Sequence, residues 1–152
     1  MADSSDVLAA PLVLEYPFRR TVDPVQSAFL TGLREGMVLG IKASDGRVLC
    51  PPTAYDPVTS DELHELVELA PTGTVTTWSW EPEPRANQPL DRPFAWALVR
   101  LDGADTGLLH AVDVTTPDQM ATGMRVRIRW ADDKVGSIGD IACFEPDPDG
   151  GK

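Results

Sequence analysis

Two cysteines, two histidines and a row of three arginines are the side chains of this 152-residue chain with the best claim to chemistry. A nucleophilic mechanism needs a nucleophile, a base beside it and a third group that orients the base. Cys50 abuts Pro51 and Cys143 lies in the apolar stretch Ile138–Phe144, so both read as packing residues rather than activated thiolates. His110 falls inside an apolar segment, where it reads as a partly buried hydrogen-bonding residue, and His64 sits in a polar segment after a proline-rich loop. There is no Gly-x-Ser-x-Gly elbow, glycine-rich phosphate loop or His-Glu-x-x-His helix. The chain therefore reads as a non-enzyme, and no residue is assigned a catalytic role. Arg125, Arg127 and Arg129 carry the planar fork that grips phosphate, but alternating charge is also how a strand keeps one face wet.

The element carrying those arginines is the clearest strand in the chain. In Met124–Trp130 apolar and basic residues alternate, so Met124, Val126, Ile128 and Trp130 face a core while the arginines face outward. Three more segments join it. Gly73–Trp80 is β-branched and aromatic, Phe94–Leu101 is apolar on both parities until Arg100 and reads as central, and Leu108–Val114 follows a turn at 102–107. Short strands with glycine-marked turns imply a small antiparallel barrel or sandwich, the OB-fold among them. Trp78, Trp80, Trp96 and Trp130 could form a base-stacking platform, but in an acidic chain they read better as core or interface residues.

Composition narrows the function classes. A hydrophobic content of 42% can fill a real core, and 24 acidic against 13 basic residues, formally −11, disfavours nucleic acid. With two cysteines and no Cys-x-x-Cys pair, neither a disulfide framework nor a thiolate zinc site can be assembled. A reduced, cytoplasmic chain without signal peptide or membrane span is expected, since the start is acidic and the apolar run Val7–Leu14 is broken by Pro11.

Ahead of the barrel lie three further parts. Residues 1–22 form an arm whose Leu12–Phe18 stretch is expected to pack on its own domain, the alternative being a partner-binding peptide. Asp23 can cap a helix with Pro24 at its first position and Gly36 at its stop, and Val25, Phe29, Leu30 and Leu33 share one face. That stripe either packs on its own domain or docks on another subunit. The Asp45-Gly46 pair then turns a hairpin between Met37–Lys42 and Arg47–Cys50, and a rigid loop with Pro51, Pro52 and Pro57 follows. Asp61–Leu69 reads either as a short helix capped by Ser60 or Asp61 and presenting Leu63, Leu66 and Val67 or, the preferred reading, with Leu66–Leu69 as the first barrel strand. The long connection Glu81–Pro93 reads as a loop of the length that often carries function or moves. The expected division is 1–22 arm, 23–65 helix and ribbon, 66–145 barrel and 146–152 a disordered tail.

The order of these segments resembles a known family. An amphipathic helix, then 36–52 with its Gly-Arg-Val-Leu-Cys-Pro-Pro run, then Gly-Thr-Val at 73–75, Leu108-Leu109 and Gly-Met-Arg-Val at 123–126, is similar to the acyl-CoA-associated OB-fold family catalogued as a domain of unknown function. The resemblance implies a mainly β chain, an OB-fold-like antiparallel barrel preceded by a helix and a rubredoxin-like zinc ribbon. This chain departs at the ribbon. The positions that match the family's two Cys-x-x-Cys pairs are Lys42 and Asp45, then Asp56 and Thr59. A protonated lysine cannot ligate zinc and the rest form a hard-oxygen set, so a degenerate ribbon without metal is expected. A Lys42 contact with Asp45 or Asp56 is one candidate for the missing cross-link.

Members of that family look like accessory subunits of thiolase-like enzymes, including lipid-transfer-type thiolases and retro-aldolases of steroid side-chain breakdown. The resemblance thus implies a non-catalytic subunit, without cofactor, in a hetero-oligomer with such a protein. The partner face is placed on Val25, Phe29, Leu30 and Leu33 with Pro51, Pro52 and Tyr55. Arg125, Arg127 and Arg129 are the candidate contact to coenzyme A phosphates. The alternative is a free-standing module that binds acyl-CoA or another lipid-like ligand.

Overall fold

A computed structural model describes residues 9–150. Its single α-helix, α1 (Pro24–Arg34), starts where Asp23 accepts a 2.9 Å hydrogen bond from the Gln26 N–H and where Pro24 costs no intrahelical bond. It stops at Gly36, whose φ of +79° allows the Gly36 and Met37 N–H groups to reach back to the carbonyls of Leu33 and Gly32. Phe29, Gly32 and Leu33 on its inner face are buried.

The ribbon follows. β1 (Val38–Lys42) and β2 (Val48–Leu49) pair across the Asp45-Gly46 turn with Ile41 opposite Leu49, and β3 (Leu66–Leu69) pairs with the other edge of β1, Val38 opposite Leu69. Leu66–Leu69 is thus a strand, as the sequence suggests, but it completes the ribbon and does not enter the barrel. The reason lies in the pattern: Leu69 meets the core and Val67 is half-covered while Leu66 stays exposed, which suits a short edge strand rather than a barrel stave. Ile41, Ala43, Leu49 and Leu63, with Val25 of α1 against them, make a small core inside the ribbon.

β4 (Thr72–Glu81), β5 (Phe94–Leu101), β6 (Leu108–Val112), β7 (Arg125–Trp130) and β8 (Ile141–Pro146) close a barrel in the order β4-β5-β6-β8-β7. All pairs are antiparallel except β6 with β8, which meet in parallel at Val112 and Phe144. β4 serves two neighbours. It pairs with β5 along its length and with β7 over Thr72–Thr74, and an irregularity between Val75 and Thr77 gives it the bend that closure requires. β5 is central and covered on both faces as far as Ala97, after which Leu98 and Arg100 turn to solvent.

One core joins helix and barrel: Phe29 and Leu33 belong to the same buried cluster as Val75, Val99, Leu101, Val126, Ile141 and Phe144. The carboxyl-terminal stretch differs from expectation. β8 runs on to Pro146, and Asp147 donates its N–H to the Arg125 carbonyl at 3.0 Å, so the chain stays laid along β7 beyond Phe144. Residues 151 and 152 of the expected tail, like residues 1–8 of the arm, lie outside the described part.

Candidate functional site

A cleft of about 380 Å³ opens between the β4–β5 connection and the β7–β8 connection, with β6 as its floor. Gln88 shapes one wall. Its side-chain carbonyl accepts the Arg85 N–H at 2.7 Å and its amide donates to Glu81 at 3.1 Å, which folds the proline-rich connection into a compact turn beside Asn87 and Pro89. The opposite wall, with Ile138 and Gly139, is held by Asp140. The buried Asp140 carboxylate accepts N–H bonds from Val135, Gly136 and Ser137 at 2.9, 2.7 and 3.2 Å. Burial alone would raise that carboxyl, but the three N–H groups prevail and hold it below its ordinary range.

His110 forms the floor. Its Nδ1 accepts the Ala111 N–H at 2.9 Å, which leaves the proton on Nε2, and its ring packs edge-on against Phe144 at 6.0 Å. Burial pushes its pKa down, against the pull of backbone groups of Ile138, Ala111 and Ile141. A neutral imidazole ordered by backbone is a hydrogen-bond donor in a cleft, not half of a catalytic pair. The cysteines are equally unsuited to nucleophilic work: burial raises Cys50 to about 12 and Cys143 to about 11, so both stay thiols.

The three arginines are occupied by carboxylates of their own barrel. Arg125 grips Asp102 with both Nη atoms and reaches Thr74 at 3.0 Å, Arg127 binds Glu145 at 2.9 Å, and Arg129 binds Asp113 at 2.8 Å. Arg92 shares Asp113. A phosphate would have to displace these partners, so the row reads as a laced, wet strand face.

The degenerate ribbon has found another cross-link. Lys42 pairs with Glu65 at 3.3 Å, not with Asp45 or Asp56 as expected, because Glu65 lies across the sheet on the segment entering β3. Asp45 folds onto Arg47 within its own turn. Asp56 does the bridging: its buried carboxylate accepts the Ser44 N–H at 2.9 Å from the first hairpin and the Val58 and Thr59 N–H groups at 2.8 and 3.2 Å from its own loop. Thr59 donates to Asp61 at 2.7 Å, and Ser44 Oγ lies 3.2 Å from the same carboxylate. These residues do not fit a zinc ion, since the lysine is a cation and the carboxylate best placed to ligate is saturated by N–H groups.

The N–H groups of Ser44 and Val58 hold the Asp56 pKa at about 2, below the ordinary 3.8. A depressed carboxyl stabilises the fold above its unfolded value and loses that contribution as pH falls through the folded one. Wild-type protein is therefore expected to exceed Asp56→Asn in urea midpoint at pH 7, with the gap closing between roughly pH 4 and pH 2. A gap that stays constant down to pH 2 would show that the Asp56 charge contributes nothing.

Of the residues given to a partner face, Phe29, Leu33 and Pro52 are buried within the chain and Val25 and Leu30 are half-buried, so the helix stripe is spent on the chain's own core. Pro51 and Tyr55 remain exposed. On the outer barrel face Trp78, Trp96, Leu98 and Leu109 line a shallow groove of about 190 Å³, and Trp96 stacks edge-on against Phe94 at 5.1 Å. Sequence reasoning singled out the Glu81–Pro93 connection as a loop but missed the wall at Ile138 and Gly139. The signal for that wall was there in the Ser137 to Asp140 spacing, which resembles a capping box.

A long bent first strand, closure of the first strand on the fourth and a parallel pair between the third and fifth define an OB-fold barrel. Residues 66–131 match the family described as the ChsH2 C-terminal OB-fold domain, in keeping with the DUF35-type OB-fold that the ordered segments resemble. No curated protein sequence matches the chain. Among solved structures, a chain of "Ltp2-ChsH2(DUF35) aldolase" superposes with a TM-score of 0.61 at 20% identity, over 84% of this chain and 98% of that one. A protein of unknown function from the DUF35 family of Sulfolobus solfataricus superposes with a TM-score of 0.57 at 23% identity, over 70% and 77%. Among the described residues no helix is long and apolar enough to cross a membrane.

Proposed function

We propose that this chain is a non-catalytic accessory subunit that binds and stabilises a thiolase-like partner, of the lipid-transfer or retro-aldolase kind, acting on acyl-CoA thioesters in the cytoplasm. Steroid side-chain degradation is the setting that the reading favours. The observation that carries it is the match of the barrel to the ChsH2 OB-fold domain, supported by a likeness that spans nearly the whole of a chain in an aldolase complex. The state of the candidate groups agrees with it. Two protonated thiols and a neutral histidine ordered by backbone supply no nucleophile and base pair.

Co-expression with the thiolase-like protein encoded beside it, followed by size-exclusion chromatography with light scattering, tests the proposal. A stable hetero-oligomer is expected, with retro-aldol or thiolytic activity in the complex and none in this chain alone. A monomer that ignores that protein would sink the reading. The cleft above His110 favours a second one, a free-standing acyl-CoA or lipid-binding module. It requires the isolated chain to bind an acyl-CoA thioester in a calorimetric titration, and His110→Ala to weaken that binding.

A further inference from the structure

Five large apolar side chains ahead of α1 stand open to solvent. Leu12 is 82% exposed, Val13 73%, Leu14 67%, Tyr16 75% and Phe18 74%, in a segment with neither helix nor strand. Among the described residues the expected packing of this arm on its own domain is not found: their core clusters are assembled from Val25 onward. The fold is complete without the arm.

The order of residues in the arm says what would cover it. Successive side chains of an extended chain point to opposite sides, so Leu12, Leu14, Tyr16 and Phe18 share one face about 20 Å long, while Val13, Glu15 and Pro17 share the other. Pro11 and Pro17 offer no N–H, so backbone pairing would be interrupted and the apolar face must supply the grip. Arg19 and Arg20 follow directly, a basic pair in a chain with a formal charge of −11. A second copy is a poor occupant, because docking on it brings together two bodies of that same charge.

Resting on the accessory-subunit reading, we propose that the arm 11–20 is the segment that docks this chain on its thiolase-like partner. Leu12, Leu14, Tyr16 and Phe18 fill an apolar groove on the partner surface, and Arg19 and Arg20 meet carboxylates at its rim. Apolar anchors spaced two apart, with charge at one end, are the pattern of an extended peptide laid into a groove.

Three forms of the chain, each co-expressed with the thiolase-like protein and titrated against it, test this: the full chain, a chain lacking residues 1–20, and L12S/L14S/Y16S/F18S. The last two are expected to keep the urea midpoint of the full chain and to bind about 100-fold more weakly or worse. Arg19→Glu with Arg20→Glu is expected to weaken binding about tenfold, less so at high salt. If the full chain binds and the shortened chain binds equally well, the arm proposal is overturned and the accessory reading stands. A full chain that does not bind removes both. Arm-dependent self-association without partner binding overturns the proposal in favour of a second copy.

Discussion

Replacing Leu33 by alanine is expected to cost about 2–5 kcal/mol of stability, read as a lower urea midpoint with an unchanged slope. Leu33 is fully buried, and it sits in one cluster with Val38 and Leu69 of the ribbon and Val75, Ile141 and Phe144 of the barrel. A shorter side chain there opens a cavity where three parts of the molecule meet, and none can collapse alone to fill it. Small domains are stable by about 5–15 kcal/mol, so the variant would lose a large share. Leu30, one residue past Phe29 and half-buried, is the control, with an expected loss well under that of Leu33. Equal and small losses at both positions would mean that α1 merely rests on the barrel.

Gly73→Ala is expected to be damaging for a different reason. Gly73 lies opposite Leu101 on β5 and opposite Val126 on β7, at the corner where β4 serves both neighbours. A methyl group built there meets the Arg100 carbonyl at 2.6 Å, Val99 Cγ1 at 2.9 Å and Leu101 Cα at 3.0 Å. Two of the three are backbone atoms, so relief requires parting β4 from β5. The loss should reach at least the 1–3 kcal/mol typical of overpacking, outweighing the ~0.4–1 kcal/mol that alanine gains by restricting the unfolded chain. Near-ultraviolet circular dichroism should change with it, as Trp78 and Trp96 sit on the same two strands. Gly36→Ala, with no atom within 4 Å but a φ of +79°, should cost only the roughly 1–2 kcal/mol of a left-handed residue. A Gly73 variant no worse than that would show that the strand pair yields easily.

Much of this architecture was legible in the residues. The alternation in Met124–Trp130, the apolar run Phe94–Leu101 and the caps around α1 each follow one period or one special residue, and all three stand where the sequence places them. Leu66–Leu69 shows the limit. Its strand character is local, but whether it joins the barrel or the ribbon depends on which edge is free, and no local pattern records that. The same holds for Lys42, whose partner Glu65 is distant in sequence and near only once β3 has paired. The candidate site was less legible than the fold. His110 was placed on its strand, but the cleft above it is made by two connections whose shapes come from side chains such as Gln88 and Asp140 bonding to backbone. The arm was misjudged in the opposite direction, since apolar residues near a small core are expected to join it, and these do not.

The shared core of α1 and β8 also sets an order of events during synthesis. Phe29 and Leu33 leave the ribosome more than a hundred residues before Ile141 and Phe144, the side chains with which they share a core. Until the barrel strands emerge, the helix has at most the ribbon to lean on. Its apolar stripe then waits in a crowded cell, where loop closure over most of the chain must precede the packing that rewards it. The packing of the helix is therefore complete only once β8 has arrived, the first element of the fold closing on its last.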